Sequence, residues 1–168
     1  MKKIAILIED LFDDKELIYP YYRMQEEGFQ VDLIGPEEHA TYKSKFGMPM
    51  KSDKASKNVL ADQYDAVIIP GGFSPDYMRR TEATVNFVRK MDEQHKLIAS
   101  ICHGPWLMIS SCQLKGKSLT GFHSIGVDIE NAGAIYLDQE VVIDGHLITS
   151  RTPKDLPAFT KAIIHKLA

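Results

Sequence analysis

The sequence of 168 residues has only two cysteines, no long apolar run and no excess of charge of one sign. Cys102 and Cys112 show no CxxC pattern, which argues against a disulfide scaffold and is typical of a reducing compartment such as the cytoplasm. No stretch approaches the roughly 20 apolar residues of a membrane span. The 20 basic residues are dispersed among 23 acidic ones, so no basic stripe favours a nucleic-acid backbone. We therefore expect neither a membrane nor a nucleic-acid partner.

Metal and cofactor signals are also missing. The six histidines lack the HExxH or HxH spacing of common metal sites. The sequence predicts no metal and no cofactor. Its length suits one α/β domain over residues 1–168 that buries a core without disulfides.

What is present is an alternation of short apolar runs with amphipathic stretches, which is typical of an α/β domain with a mainly parallel sheet. Strands are predicted at residues 4–8, 30–34, 65–69, 97–100, 117–121, 134–136, 141–144 and 147–150, and the intervening helices end with one that reaches Leu167. Residues 41–46 and 50–52 are predicted to form an edge hairpin. In such folds the sites lie at the carboxyl ends of the strands.

The most informative stretch is ICHGP at 101–105, where a buried strand turns into a helix. Unpaired N–H groups and the positive dipole end of that helix would favour the thiolate form of Cys102. The neighbouring His103 is a candidate base. The alternative is that Cys102 packs as a small apolar side chain, which is the usual role of a free cysteine. We treat Cys112, which has no adjacent base, in that way.

Two other loops at predicted strand ends carry candidate residues. Glu16 lies beside the apolar stripe of the first helix, either as a solvated acid or as a proton donor or acceptor for the thiol. Gly71 and Gly72 are either plain turn residues or a source of free N–H groups for an oxyanion. Ser74 and Asp76 are most simply the N-cap and a first-turn acid of the following helix.

Residues further along the chain are weaker candidates. His123 follows Phe122 at a predicted strand end and is a candidate for lining the same cleft. Arg151 follows the last strand, and we favour a structural salt bridge over a role in guarding the site.

Together these motifs resemble the PfpI family, also described as ThiJ/PfpI proteins. The resemblance rests on ELIYP at 16–20, IPGG at 69–72, ASICHGP at 99–105, NAGA at 131–134 and SRTPKDL at 150–156, in the order and at the spacing of the family. It implies a flavodoxin-like three-layer sandwich with helices on both faces of the sheet. It also implies a cysteine nucleophile on a strained elbow and a homodimer or higher homo-oligomer.

The resemblance further assigns roles by position. Cys102 would be the nucleophile, His103 its base and Glu16 the acid that hydrogen-bonds the thiol, with oxyanion amides from Gly72 and His103. Asp76 would reach into a neighbouring subunit. Three positions depart from the family: Asp76 stands where a longer glutamate is often found, Trp106 where relatives commonly have glutamine, and Phe122 where some have tyrosine.

Three functions follow as hypotheses. The first is a glyoxalase or deglycase that acts on small reactive carbonyls or glycated groups without a cofactor, through an activated thiolate. The second is a peptidase that uses Cys102, His103 and Asp76. We rank it lower because consecutive residues rarely face one another well enough for proton transfer. The third is a redox sensor or holdase in which Cys102 is oxidised.

Overall fold

The computed structural model describes all 168 residues and centres on a seven-stranded sheet. The strands are β1 (Lys3–Leu7), β2 (Gln30–Gly35), β3 (Thr41–Lys43), β4 (Pro49–Lys51), β5 (Lys54–Ala55), β6 (Ala66–Ile69), β7 (Leu97–Ile101), β8 (Ser118–Leu119), β9 (Ile135–Tyr136), β10 (Val142–Asp144) and β11 (Leu147–Ser150). The helices are α1 (Asp14–Glu26), α2 (Ser74–Met78), α3 (Glu82–Glu93), α4 (Pro105–Ser111), α5 (Gly126–Asn131) and α6 (Leu156–Leu167).

The main sheet has the strand order β10-β11-β7-β6-β1-β2-β5. Every pairing in it is parallel except β10 with β11, where Ile143 lies opposite Ile148. The central strands β1, β6 and β7 are buried on both faces, which explains their continuous apolar sequence. The predicted mainly parallel α/β sheet is confirmed.

Apolar residues fill both faces of this sheet. Because successive side chains of a strand point to opposite faces, Ile6 and Leu7 enter different clusters of the core. Helices α1 and α6 pack together on the face that Ile6 occupies, with Leu17 and Phe159 fully buried there. Helices α3 and α4 pack on the other face. The result is the predicted three-layer sandwich, and no helix has the length and apolar character needed to cross a membrane.

The local structure differs from the prediction at three places. The hairpin at 41–51 forms, but β3 and β4 make a separate two-stranded sheet. The strand β5, which was not predicted, forms one edge of the main sheet, opposite β10. The strands β8 and β9 also pair apart from the main sheet. Ser74 lies inside the first turn of α2, where its hydroxyl donates to the Gly71 carbonyl at 2.8 Å. It therefore anchors the Gly71 loop and does not cap the helix.

Candidate active site

Cys102 occupies a strained elbow between β7 and α4. Its φ of 61° is in the left-handed region, which a non-glycine residue adopts at a cost of the order of 1–3 kcal/mol. Two hydrogen bonds hold it there: its N–H donates to the Ser150 carbonyl at 3.1 Å, and its carbonyl accepts from the Phe122 N–H at 2.8 Å. The backbone has the strained geometry that the family resemblance implies.

This elbow brings two consecutive side chains together. His103 Nδ1 lies 3.2 Å from the Cys102 sulfur, within reach for proton transfer. The His103 ring is fixed by stacking on Phe122 at a centroid distance of 5.1 Å and by the edge of Trp106 at 4.9 Å. Burial and the positive charge of Lys45 lower the pKa of His103, so its imidazole is neutral at neutral pH. The expectation that adjacency keeps these side chains apart is wrong, because the left-handed backbone turns them towards each other.

Glu16 is the buried acid of the site. Asp13 caps α1 by accepting from the N–H groups of Lys15 at 3.0 Å and Glu16 at 3.2 Å, which sets the first turn and directs Glu16 inward. One Glu16 oxygen accepts from the Gly71 N–H at 2.8 Å. The other oxygen has no hydrogen-bond partner, and the carboxyl group as a whole lies beside the Cys102 thiol. Glu16 is therefore not the solvated acid of the simpler alternative.

The ionisation states of Glu16 and Cys102 differ from the prediction that the start of α4 favours the thiolate form of Cys102. Burial raises the pKa of Glu16 to about 8, and the charge of Asp13 adds to the effect. Glu16 therefore carries a proton at neutral pH. Burial also raises the pKa of Cys102, and the charge of an ionised Glu16 would raise it further, whereas the His103 N–H and Lys45 lower it. Burial outweighs the helix terminus, so the resting form is the thiol and a thiolate requires a proton acceptor.

The glycine pair has two distinct roles. A Cβ atom at Gly71 would collide with Glu16 Oε1 and Cys102 Cβ, so this position must be small. Its N–H is engaged by Glu16, which contradicts the prediction that it is free for an oxyanion. Gly72 has a φ of 69°, and its N–H has no acceptor within the protein. Only the second glycine of the pair therefore offers a free amide.

These groups line a cavity of about 510 Å³ that includes Glu16, Gly72, Cys102, His103 and Phe122. Lys45, on the loop between β3 and β4, also lines it. Lys45 was not predicted as a site residue, because no local pattern in the sequence shows that this hairpin folds over the loop before α1. The preceding acids Asp13 and Asp14 were missed for the same reason, although an N-cap aspartate could be read from the helix start.

Asp76 and Trp106 lie elsewhere. They line a neighbouring groove of about 430 Å³ that does not include Cys102. The Trp106 indole N–H donates to Asp128 at 2.9 Å, and its ring lies edge-on to Phe73. Within one chain, Asp76 is therefore not part of the cysteine cavity. Trp106 borders that cavity through its contacts with His103 and Phe73.

His123 and Arg151 line a third cavity, of about 320 Å³, together with Tyr136. The Arg151 guanidinium donates to Asp155 at 3.0 and 3.1 Å and to Asp138 at 2.9 Å. These bonds join the residue after β11 to the N-cap of α6 and to the loop between β9 and β10. They support the structural reading of Arg151.

Cys112 follows α4 and packs against the core. Burial raises the pKa of its thiol to about 12. Its closest polar partner is the Ser111 hydroxyl at 3.5 Å, so it has no base. No cluster of three or more histidine, cysteine or acidic side chains is placed to hold a metal ion.

The fold and these motifs can be compared with known proteins. Residues 2–166 match the pattern described as the DJ-1/PfpI family. The chain belongs to the DJ-1/PfpI family. This DJ-1/PfpI protein is 43% identical over 166 residues to the "Putative cysteine protease YraA" of Bacillus subtilis, covering 99% of this chain and 98% of the relative. It is 42% identical over 168 residues to "Protein/nucleic acid deglycase 2" of Escherichia coli, covering 99% and 98%.

Solved structures give the same result for the fold of this DJ-1/PfpI protein. A two-domain protein of Anabaena variabilis, with DJ-1/ThiJ/PfpI-like and ferritin-like domains, superposes with a TM-score of 0.97 at 46% identity. The match covers 99% of this chain and 48% of that one. Drosophila melanogaster DJ-1beta superposes with a TM-score of 0.93 at 27% identity, covering 99% and 90%.

Proposed function

We propose that this chain is a cytoplasmic enzyme that uses Cys102 to attack small reactive carbonyls and the early adducts they form on proteins. The observation that carries the proposal is the set of three groups at one point: a thiol, an imidazole 3.2 Å away and a buried, protonated carboxyl group. Relatives of similar length are named deglycases, which supports this substrate class. We also propose that the chain forms a homodimer or a higher homo-oligomer.

The chemistry follows from these groups. With methylglyoxal as substrate, the thiol proton passes to His103 while the sulfur bonds to the aldehyde carbon, which forms a hemithioacetal. The oxygen that gains charge lies near the free Gly72 N–H, which stabilises it. His103 returns its proton to that oxygen, which completes the hemithioacetal. His103 as base then takes a proton from the former aldehyde carbon while Glu16 as acid protonates the ketone oxygen. His103 passes its proton to the adjacent carbon, and the hydroxyl proton on the former aldehyde oxygen returns to Glu16, which gives a thioester. Water then cleaves the sulfur–carbon bond and releases lactate.

The experiment measures lactate formed from methylglyoxal without glutathione. We expect turnover by the wild type and by Cys112→Ser, the matched control at the second cysteine, and none by Cys102→Ser. Equal product from wild type and Cys102→Ser would refute the proposal. A fluorogenic peptide tests the peptidase alternative in parallel, and intact mass after mild peroxide tests the redox alternative.

Within a single chain, the geometry favours the carbonyl reaction over peptide hydrolysis. The acid that a peptidase triad would need, Asp76, lines a different groove of the same chain. Peptidase activity would therefore depend on a neighbouring copy. Peptide hydrolysis by a monomer without carbonyl turnover would contradict this ranking.

A further inference from the structure

The hairpin of β3 and β4 is bound to the loop that precedes α1. Leu11 N–H donates to the Lys43 carbonyl at 2.7 Å, and Lys45 N–H donates to the Phe12 carbonyl at 2.9 Å. These main-chain bonds come from both sides of Ser44. They hold the hairpin as a wall of the cysteine cavity, so the position of Lys45 is set by the fold.

The Lys45 side chain is held as well. Its Nζ lies 2.6 Å from Asp13 Oδ2, and the Asp13 side chain is 8% exposed. The other Asp13 oxygen accepts from the N–H groups of Lys15 and Glu16. One carboxylate therefore joins the ammonium group of the hairpin to the helix turn that carries Glu16.

The cavity around the Cys102 thiol contains more acidic side chains than cations with a fixed position. The titratable and charged groups that line the cavity of Cys102 are Asp13, Asp14, Lys15, Glu16, Lys45 and His103. Lys15 is exposed and makes no ion pair, and the His103 imidazole is neutral. Lys45 is the cation that the structure fixes beside the acids. It is not part of the groups assigned to the reaction above.

We propose that Lys45 is a positioning residue that places a positive charge beside Cys102, offsets the charge of Asp13 and thereby stabilises the Cys102 thiolate. The directions of the pKa shifts agree, because Lys45 lowers the pKa values of Cys102 and Glu16 whereas Asp13 raises both. The role of this charge in turnover rests on the proposed function. Its effect on the thiol does not.

The test is the rate of alkylation of Cys102 by iodoacetamide as a function of pH, in a Cys112→Ser background so that one thiol reacts. Lys45→Met keeps much of the side-chain stem and removes the charge, and Lys45→Arg keeps the charge. We expect Lys45→Met to shift the curve of alkylation rate against pH to higher pH by about one unit. At about pH 7.5 this slows alkylation roughly threefold to tenfold, because the smaller thiolate fraction is partly offset by a more nucleophilic sulfur.

Matched variants separate charge from structure. Lys51→Met replaces an exposed lysine on β4 of the same hairpin and should leave the alkylation profile unchanged. Lys45→Arg keeps the charge and should show the wild-type profile. Asp13→Asn should shift the alkylation profile to lower pH, because it removes the negative charge that raises the pKa of Cys102. An unchanged profile in Lys45→Met, or an equal shift in Lys45→Arg, would overturn the proposal. A lower melting temperature without a shifted profile would show a purely structural role and would also overturn it.

Alkylation uses no carbonyl substrate. Failure of methylglyoxal turnover therefore refutes the proposed function and leaves this proposal standing. An unshifted alkylation profile in an enzyme that makes lactate does the reverse.

Discussion

The proton on Glu16 makes the stability of this protein depend on pH in a defined direction. Burial raises the pKa of Glu16 from 4.5 to about 8. Between these values the folded state holds a proton that the unfolded state has released. Stability from this group is therefore fully present below the unfolded pKa and is lost as pH rises towards the folded pKa. The slope is about 1.4 kcal/mol per pH unit.

The substitution that tests this is Glu16→Gln. Glutamine resembles the protonated acid, since it can accept from the Gly71 N–H and donate to the Cys102 sulfur, but it does not titrate. Between about pH 5 and about pH 7 the wild type should lose about 2.5 kcal/mol of unfolding free energy relative to Glu16→Gln. The unfolding free energy of Glu16→Gln minus that of the wild type should therefore be larger at the upper end of this range than at the lower end.

Urea unfolding followed by circular dichroism at several pH values measures this difference. Glu26→Gln is the matched control, because Glu26 is exposed on the same helix, and it should follow the wild type. A constant difference between wild type and Glu16→Gln over the whole range would refute the reasoning, since it would mean that Glu16 is ionised throughout.

Three further substitutions follow from the packing. Gly71→Ala should abolish carbonyl turnover and destabilise the fold by about 1–3 kcal/mol, because its Cβ collides with Cys102. Phe159→Ala should lower the unfolding free energy by about 3–5 kcal/mol, because the ring is fully buried between α6 and the sheet. Tyr64→Phe should cost about 1–3 kcal/mol in urea unfolding, because it removes a buried 2.7 Å hydrogen bond to Asp32.

Each of these outcomes has a clear opposite. Normal turnover by Gly71→Ala would show that the loop relaxes and that the close approach is dispensable. A loss below about 1 kcal/mol for Phe159→Ala would mean that the site collapses around the cavity. Unchanged stability of Tyr64→Phe would mean that Lys3 and Lys54, which also pair with Asp32, satisfy that carboxylate alone.

Much of the fold was predictable because the pattern of short apolar strands and intervening helices has few solutions. Once consecutive strands are parallel, their carboxyl ends lie at one edge of the sheet. This places Glu16, Gly71 and Cys102 at the same edge of the sheet, and the adjacency of β1, β6 and β7 brings them together. The short strands were harder to predict from the sequence. The strand β5 has only two residues and pairs at the edge of the main sheet, so it is too short to show a periodic pattern.

The site was predictable in its composition and less so in its chemistry. Gly71 and Gly72 look alike in sequence, yet one amide is bonded to Glu16 and the other is free. Asp76 follows the same loop, but its helix directs it to another groove. Such differences depend on atomic distances that spacing along the chain does not encode.

By itself the sequence determined the parallel α/β sandwich, the strand-end position of Cys102 and the candidates around it, because these follow from local pattern and from topology. Only the tertiary structure decided the protonation of Glu16, the approach of His103 to the thiol and the placement of Lys45 beside them. Burial and the distances between charges control these properties. Both arise when segments far apart in sequence, here the hairpin at 41–51, the helix start at 13–16 and the elbow at 102–103, pack around one cavity.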